Sequence, residues 1–213
     1  LNADGPRILA VAAQSIGATL VHISTDYVFD GEKNTPYLET DTPDPKTAYG
    51  RTKLAGERLV AEHCQKHLIF RIAWLYGIYG NNFVRAIRTN ALKKSQSGEP
   101  MLVVNDQFGT PTYTIEVCKQ ILNTIGRDLY GIFHCTCEGS CSWYDFAVEI
   151  IEAAGINVTL KPCTTDEFPR PAPRPHYSIL ENAKLKANGI NIISDWKVAF
   201  KKFLEQEKNN SNL

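Results

Sequence analysis

The 213-residue sequence contains no Gly-x-Gly-x-x-Gly run, so none of it reads as the glycine-rich turn that receives a dinucleotide pyrophosphate at a helix amino end. It has no charge excess either. With 23 Lys and Arg against 23 Asp and Glu there is no basic field for nucleic acid and no acidic tail, which leaves a small molecule as the expected partner. No apolar run approaches the ~18 residues needed to span a membrane, and Leu1-Asn2-Ala3-Asp4 does not open a signal peptide; a cytoplasmic location with no membrane association is expected. The six cysteines form no C-x-x-C pair. Cys135, Cys137 and Cys141 cluster around a Gly-containing turn, but the one candidate fourth ligand, His134, sits in a strand where ordinary packing explains it better. Neither a metal site nor, in a reducing compartment, a disulfide is expected.

What is present is an alternation of helical and extended segments, with hydrophobic residues at 43%, ordinary for a soluble protein, and enough length for a full core. Ile8, Leu9, Val11, Ala12 and Ile16 have helical spacing before Gly17, and Thr19 to Ile23 reads as a buried strand. A long loop from Phe29 to Thr47, punctuated by Asp30-Gly31 and several prolines, leads to a helix from Thr47 to about Lys66 and a strand from His67 to Ile72. A glycine-punctuated loop from Trp74 to Asn82 precedes a helix over Phe83–Lys94, a strand over Met101–Val104 and a loop from Asn105 to Tyr113. Thr114 is expected to cap a helix running to about Ile125, and Ser142 a helix over Trp143–Ala154. Strands are expected over Gly131–Cys135 and Val158–Lys161, an extended segment over Pro169–Pro175, and a terminal amphipathic helix from Asp195 to about Glu207. No repeat or linker divides the chain, so residues 1–213 read as one α/β unit with a parallel sheet and a small lobe from the later segments.

The chemistry concentrates after the first strand. Ser24-Thr25-Asp26-Tyr27 closes that strand, and Tyr49-Gly50-Arg51-Thr52-Lys53 opens the next helix. Residues four apart share a helix face, so Tyr49 and Lys53 project together. A free phenol titrates near pH ~10, and a neighbouring ammonium favours the phenolate, which makes the pair a tuned acid. Thr25, at the carboxyl end of a parallel strand, faces the crevice where open α/β sheets bind ligands. A carbonyl held by Thr25 and protonated by Tyr49 could then accept a hydride from a cofactor. The same Tyr-x-x-x-Lys spacing also fits a plain solvated helical turn.

Several segments together resemble the dTDP-4-dehydrorhamnose reductase family of extended short-chain dehydrogenases. They are Val21 to Gly31, Tyr49 to Glu57, Arg71 to Gly77, Asp106 to Thr112 and Ala172 to Pro175, in order along nearly the whole chain. The resemblance implies a partial Rossmann-like sheet with a small C-terminal substrate-binding lobe, and substrate-binding segments concentrated after residue 74. It implies Thr25 and Tyr49 as carbonyl-binding hydroxyl and proton donor, Lys53 on the cofactor ribose, and Asp26 and Trp74 on a dTDP-sugar. NADPH or NADH is the implied cofactor. By their residue types alone, Asp26 also fits a cap on loop amides, Trp74 core packing, and the Asp106 to Thr112 segment a plain turn. Arg174 fits either diphosphate binding or the protein surface. Self-association as a homodimer stays open.

Family members place a strand, a Gly-rich turn and a helix ahead of these segments, so the sequence reads as an N-terminally truncated reductase whose cofactor requires a half not present in it. Two functional classes follow. One is an NADPH-dependent reductase of the 4-keto group of dTDP-4-dehydro-L-rhamnose, represented by its catalytic and substrate-binding portion and inactive alone. The other is a non-catalytic binding or regulatory protein on the same scaffold, resembling the regulatory subunit of methionine adenosyltransferase. Intact Thr25, Tyr49 and Lys53 favour the reductase.

Overall fold

Apolar β-branched runs between amphipathic helices give a parallel sheet in which each strand ends at one common edge. The structure, a computed structural model, describes residues 1–167 and 174–210. Helix α1 (Asp4–Ser15) is followed by Gly17, whose φ of +68° turns the chain into strand β1 (Leu20–Thr25), and a single 3₁₀ turn (Asp26–Val28) closes that strand. Helix α2 (Ala48–His63) starts at Thr47, whose hydroxyl accepts from the Gly50 amide at 3.0 Å, and returns the chain to strand β2 (His67–Ile72). The two strands pair in parallel, Thr25 opposite Ile72, as a helical crossover requires.

Beyond the sheet the chain builds a more irregular lobe. Strand β3 (Leu75–Tyr76) lies in the glycine-punctuated loop, before helix α3 (Phe83–Ser97) and strand β4 (Met101–Val104). The segment expected as a plain loop contains strands β5 (Phe108–Gly109) and β6 (Thr112–Tyr113), followed by helix α4 (Thr114–Thr124). Strand β7 (Gly131–His134) completes the three-stranded sheet in the order β1-β2-β7. Strand β8 (Cys141–Ser142) leads into helix α5 (Trp143–Ala154), held by a reciprocal capping box between Ser142 and Asp145. Strand β9 (Leu160–Cys163), helix α6 (Ala183–Ala187) and helix α7 (Trp196–Asn210) follow. Short pairs, β3 with β6, β4 with β9 and β5 with β8, tie the lobe together.

Several expectations shift. Thr114 is the first residue of α4 and provides no cap; its side chain is packed against Gly77, where a Cβ would come within 2.6 Å of its Oγ1. The strand expected over Val158–Lys161 pairs two residues later, because its partner β4 fixes the register from Met101–Leu160 to Val104–Cys163. Of the proline-rich segment, Pro169 to Pro173 lie outside the described residues, whereas Arg174 and Pro175 are within them. The apolar residues of α1 are mostly exposed, with Ala10 alone among them buried.

The main core fills the space between sheet and lobe with aromatic rings. Phe70 and Phe133 lie 5.7 Å apart on adjacent strands, and Tyr76, Tyr113, Phe146, Phe200 and Phe203 interlock at centroid separations of 5.3 to 6.1 Å. Edge-to-face and offset contacts of this kind add about 0.5–1.5 kcal/mol per pair to the area they bury.

Candidate active site

Two glycines let helix α2 approach its neighbours closely enough to place its first turn beside the end of β1. A Cβ on Gly50 would lie 2.0 Å from the Tyr27 carbonyl oxygen, and one on Gly56 would lie 2.2 Å from the Asn2 carbonyl oxygen. The Tyr49 ring, 50% exposed, consequently meets Tyr27 edge to face at 5.7 Å. One turn on, the Lys53 ammonium donates to the Ile23 carbonyl at 2.5 Å, so the cation is fastened to the strand. Burial lowers the Lys53 pKa, and the nearby Glu57 charge opposes that shift.

Beneath this pair a buried ionic cluster links helix and sheet. Arg71 on β2 forms a bidentate pair with Glu57 at 2.9 and 2.7 Å, and the Ser24 hydroxyl donates to the same carboxylate. Both charges are at least 98% buried, and the guanidinium lies 5.0 Å from the Phe29 ring centroid. Glu57 is one helical turn from Lys53, and Ser24 precedes Thr25, so the cluster fixes the relative positions of the elements that carry Thr25, Tyr49 and Lys53.

Thr25 and Asp26 are themselves buried. The Thr25 hydroxyl accepts from the Tyr27 amide at 3.3 Å and lies 2.9 Å from Asp26 Oδ1. Asp26 is 6% exposed, and burial pushes its pKa up to about 7, a shift opposed by its hydrogen bond to Thr25. Its second oxygen, Oδ2, is buried with no hydrogen-bond partner among the described residues.

Trp74 departs from ordinary backbone geometry, with a φ of +47°. For a bulky residue such a conformation costs about 1–3 kcal/mol and persists only where its surroundings impose it. Here the indole stacks on Trp143 at 3.4 Å, nearly parallel, while a Cβ on Gly109 would come within 2.3 Å of it. Core packing and a place on a cleft wall are combined in one side chain.

The six residues singled out from sequence converge on two adjoining clefts. Thr25, Asp26, Tyr49, Lys53 and Trp74 line an open cleft of about 360 Å³ at the carboxyl ends of β1 and β2. Asp26 and Trp74 also line a second, of about 160 Å³, together with Arg174. A third cleft, of about 270 Å³, shares Arg174 with the second and runs between α3 and β4, lined by Phe83, Ala86, Ile87, Asn90 and Met101 to Val104. Arg174 is exposed, and its charge reaches Tyr27, whose pKa is raised by burial and by Asp26 and lowered by the guanidinium.

Residue types alone do not single out Tyr27, Gln107 and Trp143, which line the second cleft. Tyr27 and Gln107 lie inside segments of the family resemblance, but Trp143 carried only a helix-start signal. Gln107 is buried and donates to Thr165, whose amide and hydroxyl in turn donate to Asp106 at 2.7 to 3.1 Å. The Asp106 loop thus fastens the turn after β9. Cys135, Cys137 and Cys141 are buried, and burial raises all three thiol pKa values. Among the described residues no group of three or more His, Cys, Asp or Glu is arranged to hold a metal, and no helix is long and apolar enough to cross a membrane.

Comparison with known proteins places this geometry in context. Residues 1–209 match the model of the RmlD substrate binding domain. The dTDP-4-dehydrorhamnose reductase of Shigella flexneri is 39% identical over 219 residues, which cover 97% of this chain and 71% of the relative. The crystal structure of a dTDP-4-dehydrorhamnose reductase from Clostridium acetobutylicum superposes with a TM-score of 0.92 at 48% identity, over 98% of this chain and 72% of that one. The Bacillus anthracis dTDP-4-dehydrorhamnose reductase, solved in complex with NADP, gives 0.90 at 41% identity, over 97% and 72%.

Proposed function

The chain belongs to the RmlD substrate binding domain family of dTDP-4-dehydrorhamnose reductases, and on that premise we propose that it is the catalytic and substrate-binding portion of an NADPH-dependent reductase acting on the 4-keto group of a dTDP-4-dehydro-6-deoxysugar. The reading is carried by the continuity of the three clefts. The first includes the Thr25 and Tyr49 hydroxyls and the Lys53 ammonium, a donor set suited to a ketone and a nicotinamide ribose. The second, ending at Arg174, suits a diphosphate, since guanidinium pairs with phosphate oxygens. The third, largely apolar, suits a nucleobase.

When bound, the nicotinamide supplies the hydride. Tyr49, beside the cleft and half exposed, delivers the proton to the carbonyl oxygen; Thr25 binds that oxygen; Lys53, anchored on Ile23, holds positive charge by the phenol and contacts the ribose. Asp26 and Trp74 form the wall shared by sugar and diphosphate. The 213 residues contain no Gly-x-Gly-x-x-Gly turn, so the reaction is assayed in a form carrying a dinucleotide-binding half.

The test is Tyr49→Phe, which keeps the ring and removes the proton. General acid catalysis contributes about 10²–10⁴-fold, so turnover of the dTDP-ketosugar with NADPH should fall by that factor while both ligands still bind. Undiminished turnover would sink the assignment. Binding of both ligands by the unaltered protein with no reduction at all would support the non-catalytic scaffold instead.

A further inference from the structure

The hydrogen-bond arithmetic around Thr25 has a consequence for how the carbonyl is held. A hydroxyl carries one proton and two lone pairs. One lone pair of Thr25 is taken by the Tyr27 amide at 3.3 Å, and Asp26 Oδ1 lies 2.9 Å away. An ionised carboxylate accepts only, so it would claim the one proton Thr25 has and leave a bare lone pair facing the lone pairs of a substrate carbonyl. A protonated carboxyl reverses the bond: it donates to the second lone pair of Thr25, and the threonine proton is left for the substrate.

We propose that Asp26 is a proton-linked positioning residue that sets the direction of the Thr25 hydroxyl, so that the carbonyl oxygen is bound only when the Asp26 carboxyl holds its proton. The proposal rests on the reductase reading of the site. During reduction the hydride adds to the carbonyl carbon and the Tyr49 proton goes to the oxygen; Thr25 and Asp26 keep their own protons throughout.

The surroundings of Asp26 fit this role. It is 6% exposed, and Oδ2 finds no partner among the described residues. The titratable or charged groups that share its clefts are Tyr27 from its own turn, Tyr49 and Lys53 from α2, and Arg174 from the segment before Pro175; none of them forms an ion pair with it among the described residues. Hydrogen bonds from Thr25, from Ser178, which also lies 3.2 Å from the Phe108 carbonyl, and from the Asp26 and Tyr27 amides favour the ionised carboxyl, and burial outweighs them. Burial raises the pKa to about 7, so the switch falls at neutral pH: the proton is held below it and lost as pH rises through it.

The experiment is the pH dependence of kcat/KM in the holoenzyme, with dTDP-ketosugar and NADPH, for the unaltered protein and for Asp26→Asn, Thr25→Val, Thr25→Ser and the double variant Asp26→Asn/Thr25→Val. Removing one such donor costs about 10²–10³-fold, so the unaltered enzyme should exceed Thr25→Val by that factor near pH 6 and approach it near pH 9. Asp26→Asn, which donates at every pH, should exceed Asp26→Asn/Thr25→Val by a factor that does not vary with pH, whatever its plateau, and Thr25→Ser should keep the pH-dependent advantage over Thr25→Val. Infrared difference spectra should show a protonated-carboxyl stretch at low pH that vanishes across the same range and is absent in Asp26→Asn. A ratio to Thr25→Val that does not change with pH, or one that still changes with pH when Asp26→Asn is present in both proteins, would overturn the proposal with the reductase reading intact. Absence of turnover at any pH would strike the reading itself, and the infrared band would still decide the protonation of Asp26.

Discussion

The Glu57–Arg71 pair offers a sharp test of how the site is held. Glu57→Leu leaves the Arg71 guanidinium, 1% exposed, without its carboxylate, and Arg71→Met strands Glu57 in the same way. Removing one member of a buried pair costs about 3–5 kcal/mol, because the survivor remains desolvated and unpaired. In a chain of this length each kcal/mol lowers Tm by about 2–4 °C, so either single change should lower it by roughly 6–20 °C. The double variant behaves differently. It removes both charges, keeps apolar volume against Phe29, and leaves only the Ser24 hydroxyl without its acceptor, at about 1–3 kcal/mol. Urea unfolding of the four proteins completes the cycle, with the double variant expected to be more stable than either single by about 2 kcal/mol. Single effects that simply add, within about 0.5 kcal/mol, would mean that the two residues do not act as a pair and would refute the reasoning.

Trp74→Ala should weaken sugar-nucleotide binding more than cofactor binding, as titration calorimetry of each ligand would show; equal losses with a lower Tm would reduce Trp74 to packing against Trp143. Gly50→Ala should destabilise in spite of the gain of about 1 kcal/mol that alanine brings to a helix, since overpacking against the Tyr27 carbonyl costs about 1–3 kcal/mol, and kcat should fall further as Tyr49 is displaced; a raised Tm would contradict the close contact. His134 is held neutral, its pKa lowered from 6.5 to about 3 by burial and by the Arg71 charge, so the unfolded chain binds a proton that the folded one refuses. Relative to His134→Gln, the unaltered protein should therefore gain stability as pH rises from about 4 to 7, by up to about 1.4 kcal/mol per unit; urea midpoints across that range check the sign.

Much of the sheet and helix framework is legible in the sequence because its signals are local. His67–Ile72 and Met101–Val104 form the expected strands residue for residue, and Ser142 caps α5 as its side chain dictates. Thr114 shows where local reading fails: the same residue type that caps a helix elsewhere is taken by contact with Gly77, a residue 37 positions away that no propensity can foresee. The two-residue strands β3, β5 and β6 fail for the same reason, since each exists only through a distant partner.

The site divides along the same line. Tyr49 and Lys53 share a helix face by spacing alone, and Thr25 ends a strand whose apolar run announces it. The wall that joins the clefts has no such signature. Trp74 reaches Trp143 across 69 positions, and Gln107 reaches Thr165 across 58, so the second cleft is assembled wholly by tertiary contacts. The family resemblance reaches Asp26, Trp74 and Arg174 on this wall as well as the residues proposed for the chemistry, but it does not reach Trp143, which only the tertiary contact with Trp74 brings to the cleft. The left-handed Trp74 backbone is the clearest instance: a strained φ is invisible in a sequence, yet its cost of about 1–3 kcal/mol must be met by the stacking and close packing that hold the indole against the cleft. If those contacts also set the width of the second cleft, substitutions at Trp143 and Gly109 should alter sugar-nucleotide affinity without touching the proton donor.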